Sequence, residues 1–261
     1  MSRSLLEVFL TNVQRYPDSD FLAEEETVSL TYRQAYAVSM KLLPARFHEL
    51  HPTLATMSRP KVVILSHNNS LVLLSILALW TMSAKVILLS ISSDPSLWSG
   101  MINLVDPDLI LVSPGLQQSL INSLEGFSLH TKYSFTLDML ALIPEAHATT
   151  NISNRISNYI PSLRSWVNQT FPDLKALMDD IAVGTTSPPS VGFDLPAITL
   201  FTSSAIDWSS LKCVTYTHDM LAHSARRAML MLGGSQYSSK PKRHLGWLPL
   251  SHCFEFCITF W

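Results

Sequence analysis

Three uninterrupted apolar runs at close intervals constrain this chain more than any other feature. They are KVVIL at 61–65, KVILLSI at 85–91 and DLILVS at 108–113. A strand with one wet face alternates apolar and polar residues. A strand that is apolar throughout is buried on both faces, as in a parallel sheet covered by helices. The intervening stretches have helical length. Residues 69–83 are predicted as one helix. Asp94-Pro95 opens a second, with Asp as N-cap and Pro at the first helical position, running to about Val105, and 115–124 forms a third. The fold class is therefore α/β, with layered parallel sheets and helices on both faces. Crossovers in such folds are right-handed, and ligands sit at the carboxyl ends of the strands.

The flanks extend this pattern. Leu5, Leu6, Val8, Phe9 and Val13 recur at helical spacing over 4–15, and Tyr16-Pro17-Asp18 ends that helix. VSLTY at 28–32 alternates as a short strand. Thr31 and Gln34 form a capping-box pattern for a helix toward Leu50, with Pro44 expected to kink or stop it early. YSFTL at 133–137 predicts a strand, but 138–195 carries no clear period, and TTSPPS at 185–190 reads as a surface loop. Order returns with PAITLFTS at 196–203 and CVTYT at 213–217, both strands. Thr217 is placed to cap a helix over 218–232, with Asp219 near its positive end and Gly233-Gly234 closing it. HLGWLPL at 244–250 is expected to be a further strand or strand end.

Composition narrows the class of function. Apolar residues make up 47% and charged residues 15% of 261 residues, which excludes a disordered chain and allows a sizeable core. The net charge is −2, without a basic, aromatic-interleaved patch, so nucleic acid is not an expected partner. Arg226-Arg227 and the Lys240–Arg243 cluster read as solvated surface. LVLLSILALW at 71–80 is too short to span a bilayer and reads as core. Cys213, Cys253 and Cys257 make no disulfide framework, and no signal peptide opens the chain, so a cytoplasmic setting is expected. His244, His252, Cys253 and Cys257 invite a zinc reading, but paired C-x-x-C geometry is absent, and buried thiols on an apolar helix account for them better. Ser66-His67 does not make a nucleophile and base, because neighbours on a strand point to opposite faces.

The most informative stretch is FTSSAIDWSSLKCVTYTHDML at 201–221. It runs from strand to hydroxyl-rich loop to strand and helix, the outline of a phosphate loop, yet Phe193 to Leu232 contains no glycine. With LTYRQ at 30–34 after a short acidic segment, and LPLSHCFE at 248–255, it forms an ordered set. That set resembles the N-terminal half of an AMP-binding, adenylate-forming domain, with acyl-CoA synthetase-like members the most similar. The resemblance covers residues 1–261 as a partial domain.

The resemblance implies that a carboxylic acid reacts with ATP and Mg²⁺ to give an acyl-adenylate, and that a thiol acceptor, CoA or a carrier protein, takes the acyl group. It assigns phosphate contacts to Thr202, Ser203, Ser204 and Lys212, and the acyl site to His252. Ser204 stands where the family has glycine, Leu211 replaces a proline, and the loop is two residues longer. His218, in the closing Thr-His pair, reads more simply as a polar residue in a first helical turn. Glycine lets backbone N–H groups converge on an anion. Side chains in its place, Asp207 among them, are expected to weaken triphosphate handling. In the family the adenine pocket, the magnesium-contacting acid, the ribose-binding Asp and the catalytic Lys all follow this portion. The hydrophobic run into Trp261 therefore reads as a break within the domain, and 1–261 alone is expected not to turn over. Two other readings stand beside this one: a non-catalytic scaffold derived from such an enzyme, and an unrelated α/β binding domain.

Overall fold

The computed structural model describes residues 4–25, 28–125, 136–144, 159–176, 192–202, 210–231 and 250–251. The chain opens with α1 (Leu5–Arg15), whose apolar face buries Leu5, Leu6, Phe9 and Val13. Ser4 caps it in a reciprocal capping box with Glu7. The acidic stretch after it forms a strand that the sequence pattern did not announce: β1 (Asp20–Glu25) pairs antiparallel with β2 (Val28–Thr31). Thr31 then caps α2 (Tyr32–Ala37), and Gln34 returns the bond, as predicted.

Pro44 does not stop the helical run, which continues to Leu50. A π-turn at Val38–Leu42 separates α2 from α3 (Leu43–Leu50) and places Pro44 in the first turn of α3. The Leu43 N–H reaches back five residues to the Val38 carbonyl, so the bonding register shifts just before the proline, which is tolerated in a first helical turn. A short α4 (Pro52–Thr56) leads to the sheet.

The three apolar runs become β3 (Lys61–Leu65), β4 (Lys85–Leu89) and β5 (Leu109–Val112), joined through α5 (Ser70–Thr81) and α6 (Pro95–Val105). They are parallel, with Val63 opposite both Ile87 and Ile110. After α7 (Gln117–Leu124), β6 (Thr136–Asp138) adds in parallel beside β5, then a 3₁₀ turn spans Met139–Leu142. The predicted strand at 133–137 is thus described only from Thr136. Next comes α8 (Ile160–Thr170), in the stretch that carried no clear period; its buried Ile160, Leu163 and Val167 do recur at helical spacing. Its N-cap, Tyr159, makes no side-chain capping bond, so the usual start signal was missing.

β7 (Pro196–Phe201) lies parallel to β4, and β8 (Cys213–Thr217) closes that edge antiparallel to β7. The described sheet order is β6-β5-β3-β4-β7-β8. Finally α9 (His218–Met231) starts at the predicted cap, where the Met220 N–H donates to Thr217 Oγ1 at 3.2 Å.

Both faces of the sheet are buried, which explains the unbroken apolar runs. Val62, Ile64, Val86 and Leu88 pack on one side with α1, α2, α3, α5 and α8. Val63, Leu65, Ile87 and Leu89 pack on the other with α6 and α7. The two-residue period of a strand sends alternate residues to these two cores. α5 is buried from Ser70 to Trp80, which confirms it as core. No helix among the described residues is long and apolar enough to cross a membrane.

Asn69 starts α5, its Oδ1 accepting from the Val72 N–H at 3.0 Å. Asn69→Ala is expected to cost about 1 kcal/mol. A urea midpoint unchanged from the parent would refute that capping role.

Candidate functional site

The chain passes from β3 to β4 on one side, then back past β3 to β5 on the other. α5 covers one face, and α6 and α7 the other. The carboxyl ends of β3 and β5 therefore flank a topological switch, where parallel sheets bind ligands. Ser66 follows β3, and its hydroxyl meets the Ser113 hydroxyl across this gap. Ser113 itself donates its backbone N–H to the Leu65 carbonyl at 3.0 Å.

The edges of the predicted phosphate loop lie at the same end of the sheet. Leu88 is opposite Leu200, so the next residues along β7 emerge beside the carboxyl end of β4. There the Thr202 N–H donates to the Lys212 carbonyl at 3.0 Å, so the loop leaves and re-enters the sheet through one closed neck. Two of the predicted phosphate residues are thus brought together. The Thr202 hydroxyl is buried and lacks a hydrogen-bond partner among the described residues. Lys212 is exposed beside it. An orphan donor on one side of the neck and an exposed lysine, with no ion pair among the described residues, on the other suit an anionic oxygen, so this neck fits the phosphate part of a nucleotide. It offers Mg²⁺ less. Among the described residues no group of three or more His, Cys, Asp or Glu could hold a metal ion. Ser203, Ser204 and His252 lie outside the described residues, as do His244, Cys253 and Cys257 of the zinc reading.

His218 does not join this neck. β8 runs antiparallel, so Thr217 pairs with Pro196 at the amino end of β7, about 17–20 Å from the neck. His218 is buried, with its ring edge against Trp80 at a centroid distance of 5.1 Å. Burial lowers its pKa to about 4, so the ring is neutral at ordinary pH. It is a buried histidine in the first turn of α9.

Beside the neck lies a cavity of about 180 Å³ at the carboxyl ends of β3 and β4. Its walls are Ile64, Val72, Leu88, Leu89, Ile91 and Leu250. Ser66, Asn68 and Ser251 supply its polar rim. Leu250 and Ser251 belong to the LPLSHCFE element, and the Leu250 N–H donates to Asn68 Oδ1 at 2.9 Å. Asn68 thereby anchors a segment 182 residues away in sequence. One hint of this cavity lies in the sequence: a run of polar residues, SHNNS at 66–70, directly after an apolar strand. The Ser66 hydroxyl donates to the His67 carbonyl at 2.8 Å and receives the Asn69 amide at 3.3 Å. These contacts hold the turn, and Ser66 and His67 both lie past the end of β3 and not on the strand.

No protein-family model matches the sequence. Over 197 residues, 74% of this chain, it is 26% identical to hispidin synthase of Neonothopanus nambi, and the match spans 10% of that protein. Solved structures align over nearly the whole chain. The fold is that of the N-terminal domain of adenylate-forming enzymes. o-Succinylbenzoate coenzyme A synthetase from Bacillus subtilis, in complex with ATP and magnesium ion, matches 100% of this chain and 55% of its own, with TM-score 0.65 and 14% identity. VinN in complex with 3-methylaspartate matches 99% of this chain and 58% of its own, with TM-score 0.65 and 13% identity. A fatty acyl CoA synthetase of Mycobacterium tuberculosis matches 98% of this chain and 42% of its own, with TM-score 0.65 and 15% identity. This chain thus spans about half the length of these solved structures and a tenth of hispidin synthase.

Proposed function

We propose that this chain is the N-terminal portion of an adenylate-forming, acyl-CoA synthetase-like enzyme that activates a carboxylic acid with ATP and Mg²⁺ for a thiol acceptor, CoA or a carrier protein. The observation that carries the reading is the neck of the loop. An orphan Thr202 hydroxyl and an exposed Lys212 stand together at the carboxyl end of β7, on a fold shared with ATP-using synthetases. In this reading Thr202, Ser203, Ser204 and Lys212 meet phosphate, and His252 lines the acyl site. ATP supplies the activating adenylyl group, and Mg²⁺ offsets the polyphosphate charge.

The chain's own share follows from the loop chemistry. Thr202 donates a hydrogen bond to a phosphate oxygen, and Lys212 places its ammonium at the rim as a point charge. With no glycine in the loop, hydroxyls replace the backbone cradle, so polyphosphate binding is weaker than a glycine-lined loop would give.

The test is carboxylate-dependent exchange of labelled pyrophosphate into ATP by the protein carrying this segment. Lys212→Ala should lower the exchange about tenfold, the worth of one charged hydrogen bond, with an unchanged melting temperature because the side chain is exposed. Exchange indifferent to Lys212, or absent across a broad panel of acids, would overturn the assignment.

A further inference from the structure

We propose that the cavity at the carboxyl ends of β3 and β4 receives the apolar end of the carboxylic acid, and that it selects uncharged chains or rings of about six to eight carbons. This rests on the adenylate-forming reading above.

Four observations lead to it. The walls are apolar, and none of the residues lining the cavity carries a charge. A second carboxylate or an ammonium on the substrate would be buried there without a partner, which costs several kcal/mol or more. The volume sets the length. A cavity of about 150 Å³ holds a benzene ring, and this one is about 180 Å³. Next, two of the three polar rim residues are already engaged. Ser66 is bonded to Ser113 and the His67 carbonyl, and Asn68 Oδ1 to Leu250, so the interior favours hydrocarbon over water. Finally, the place is right. Leu250 and Ser251 form part of the cavity and lead directly into His252, and the Thr202–Lys212 neck opens at the same end of the sheet. A tail seated here lies beside both elements that the proposed reaction uses.

The probe is a series of straight-chain alcohols, 1-butanol to 1-decanol, titrated into this chain and followed by ligand-observed NMR. Affinity should peak at about six to eight carbons. Ile91 is half-buried at the cavity wall, so it can be changed with little risk to the core. Ile91→Trp should weaken the preferred alcohol at least about tenfold by filling the space, a loss of two or so buried methylenes. Ile91→Ala should move the peak about two to three carbons longer, because it frees roughly that volume. If the Trp variant fails to fold, the Ala shift alone decides. The matching carboxylates should show the same peak in the ATP–pyrophosphate exchange.

Affinity that climbs steadily to decanol, or a peak that neither Ile91 variant moves, overturns the cavity while leaving the enzyme reading intact. Exchange with acids that does not follow the alcohol peak overturns the acyl assignment. A clear alcohol peak with no exchange for any acid means that the enzyme reading has failed and the acyl assignment with it.

Discussion

Trp80→Ala is expected to lower the free energy of unfolding by about 3–5 kcal/mol. Trp80 is fully buried at the end of α5. Three losses combine. The indole leaves a large cavity between two elements that cannot close on each other. Its Nε1–H, which donates to the Ala197 carbonyl at 3.1 Å, disappears and leaves a buried acceptor unsatisfied. The edge contact to His218 is lost as well. Trp80→Phe separates these terms. It retains most of the ring and removes the N–H, and should cost about 1–3 kcal/mol. Natural domains are stable by only about 5–15 kcal/mol, so the alanine variant approaches the limit of folding. Urea unfolding followed by circular dichroism measures both. Equal losses in the two variants, or a loss under about 1 kcal/mol in Trp80→Ala, would refute the packing account. The effect should also reach the candidate site, because Trp80 ties α5 to β7, and β7 leads directly into Thr202.

The sheet could be read from sequence because its physics is local. A strand buried on both faces must be apolar at every position, and β3, β4 and β5 are. Helix starts were readable where a side chain caps: Thr31, Asp94 and Thr217 stand where the pattern put them. What escaped depended on partners. β1 is acidic, with no apolar run, and is a strand because β2 pairs with it. α8 has the helical period but no capping side chain. Pro44 reads as a breaker until the π-turn before it shifts the helical register. At the site, Thr202 and Lys212 were legible as the ends of one loop. Their closure through a backbone hydrogen bond, and the orphan hydroxyl beside it, needed the paired strands. The cavity showed in the sequence only as the polar run at 66–70. It depends on Asn68 holding Leu250, a contact between residues that no local pattern relates.

The second large effect is a loss of stability on acidification that one residue governs. His218 is buried against Trp80, its Nδ1 has no hydrogen-bond partner among the described residues, and burial lowers its pKa from 6.5 to about 4. The folded state therefore holds the neutral ring, while the unfolded chain takes up a proton at the ordinary value. Above pH 6.5 both states are neutral, and the full contribution is present. As pH falls from 6.5 the unfolded state binds the proton first, and stability drops until the folded ring also protonates near pH 4. Below that the two states titrate together and the slope from this residue ends. A shift of this size is worth about 3 kcal/mol across the window. Carboxylates add their own loss at low pH, so the decisive quantity is a difference between proteins. His218→Gln keeps a polar side chain of similar reach and cannot titrate. Its unfolding free energy should be nearly flat between pH 6.5 and 4.5 apart from the carboxylates, so the parent loses about 2–3 kcal/mol more over that interval. Parallel curves for the two proteins would show that His218 titrates in the folded state much as it does in the unfolded chain. The neutral histidine would then be no part of what holds α9 against α5.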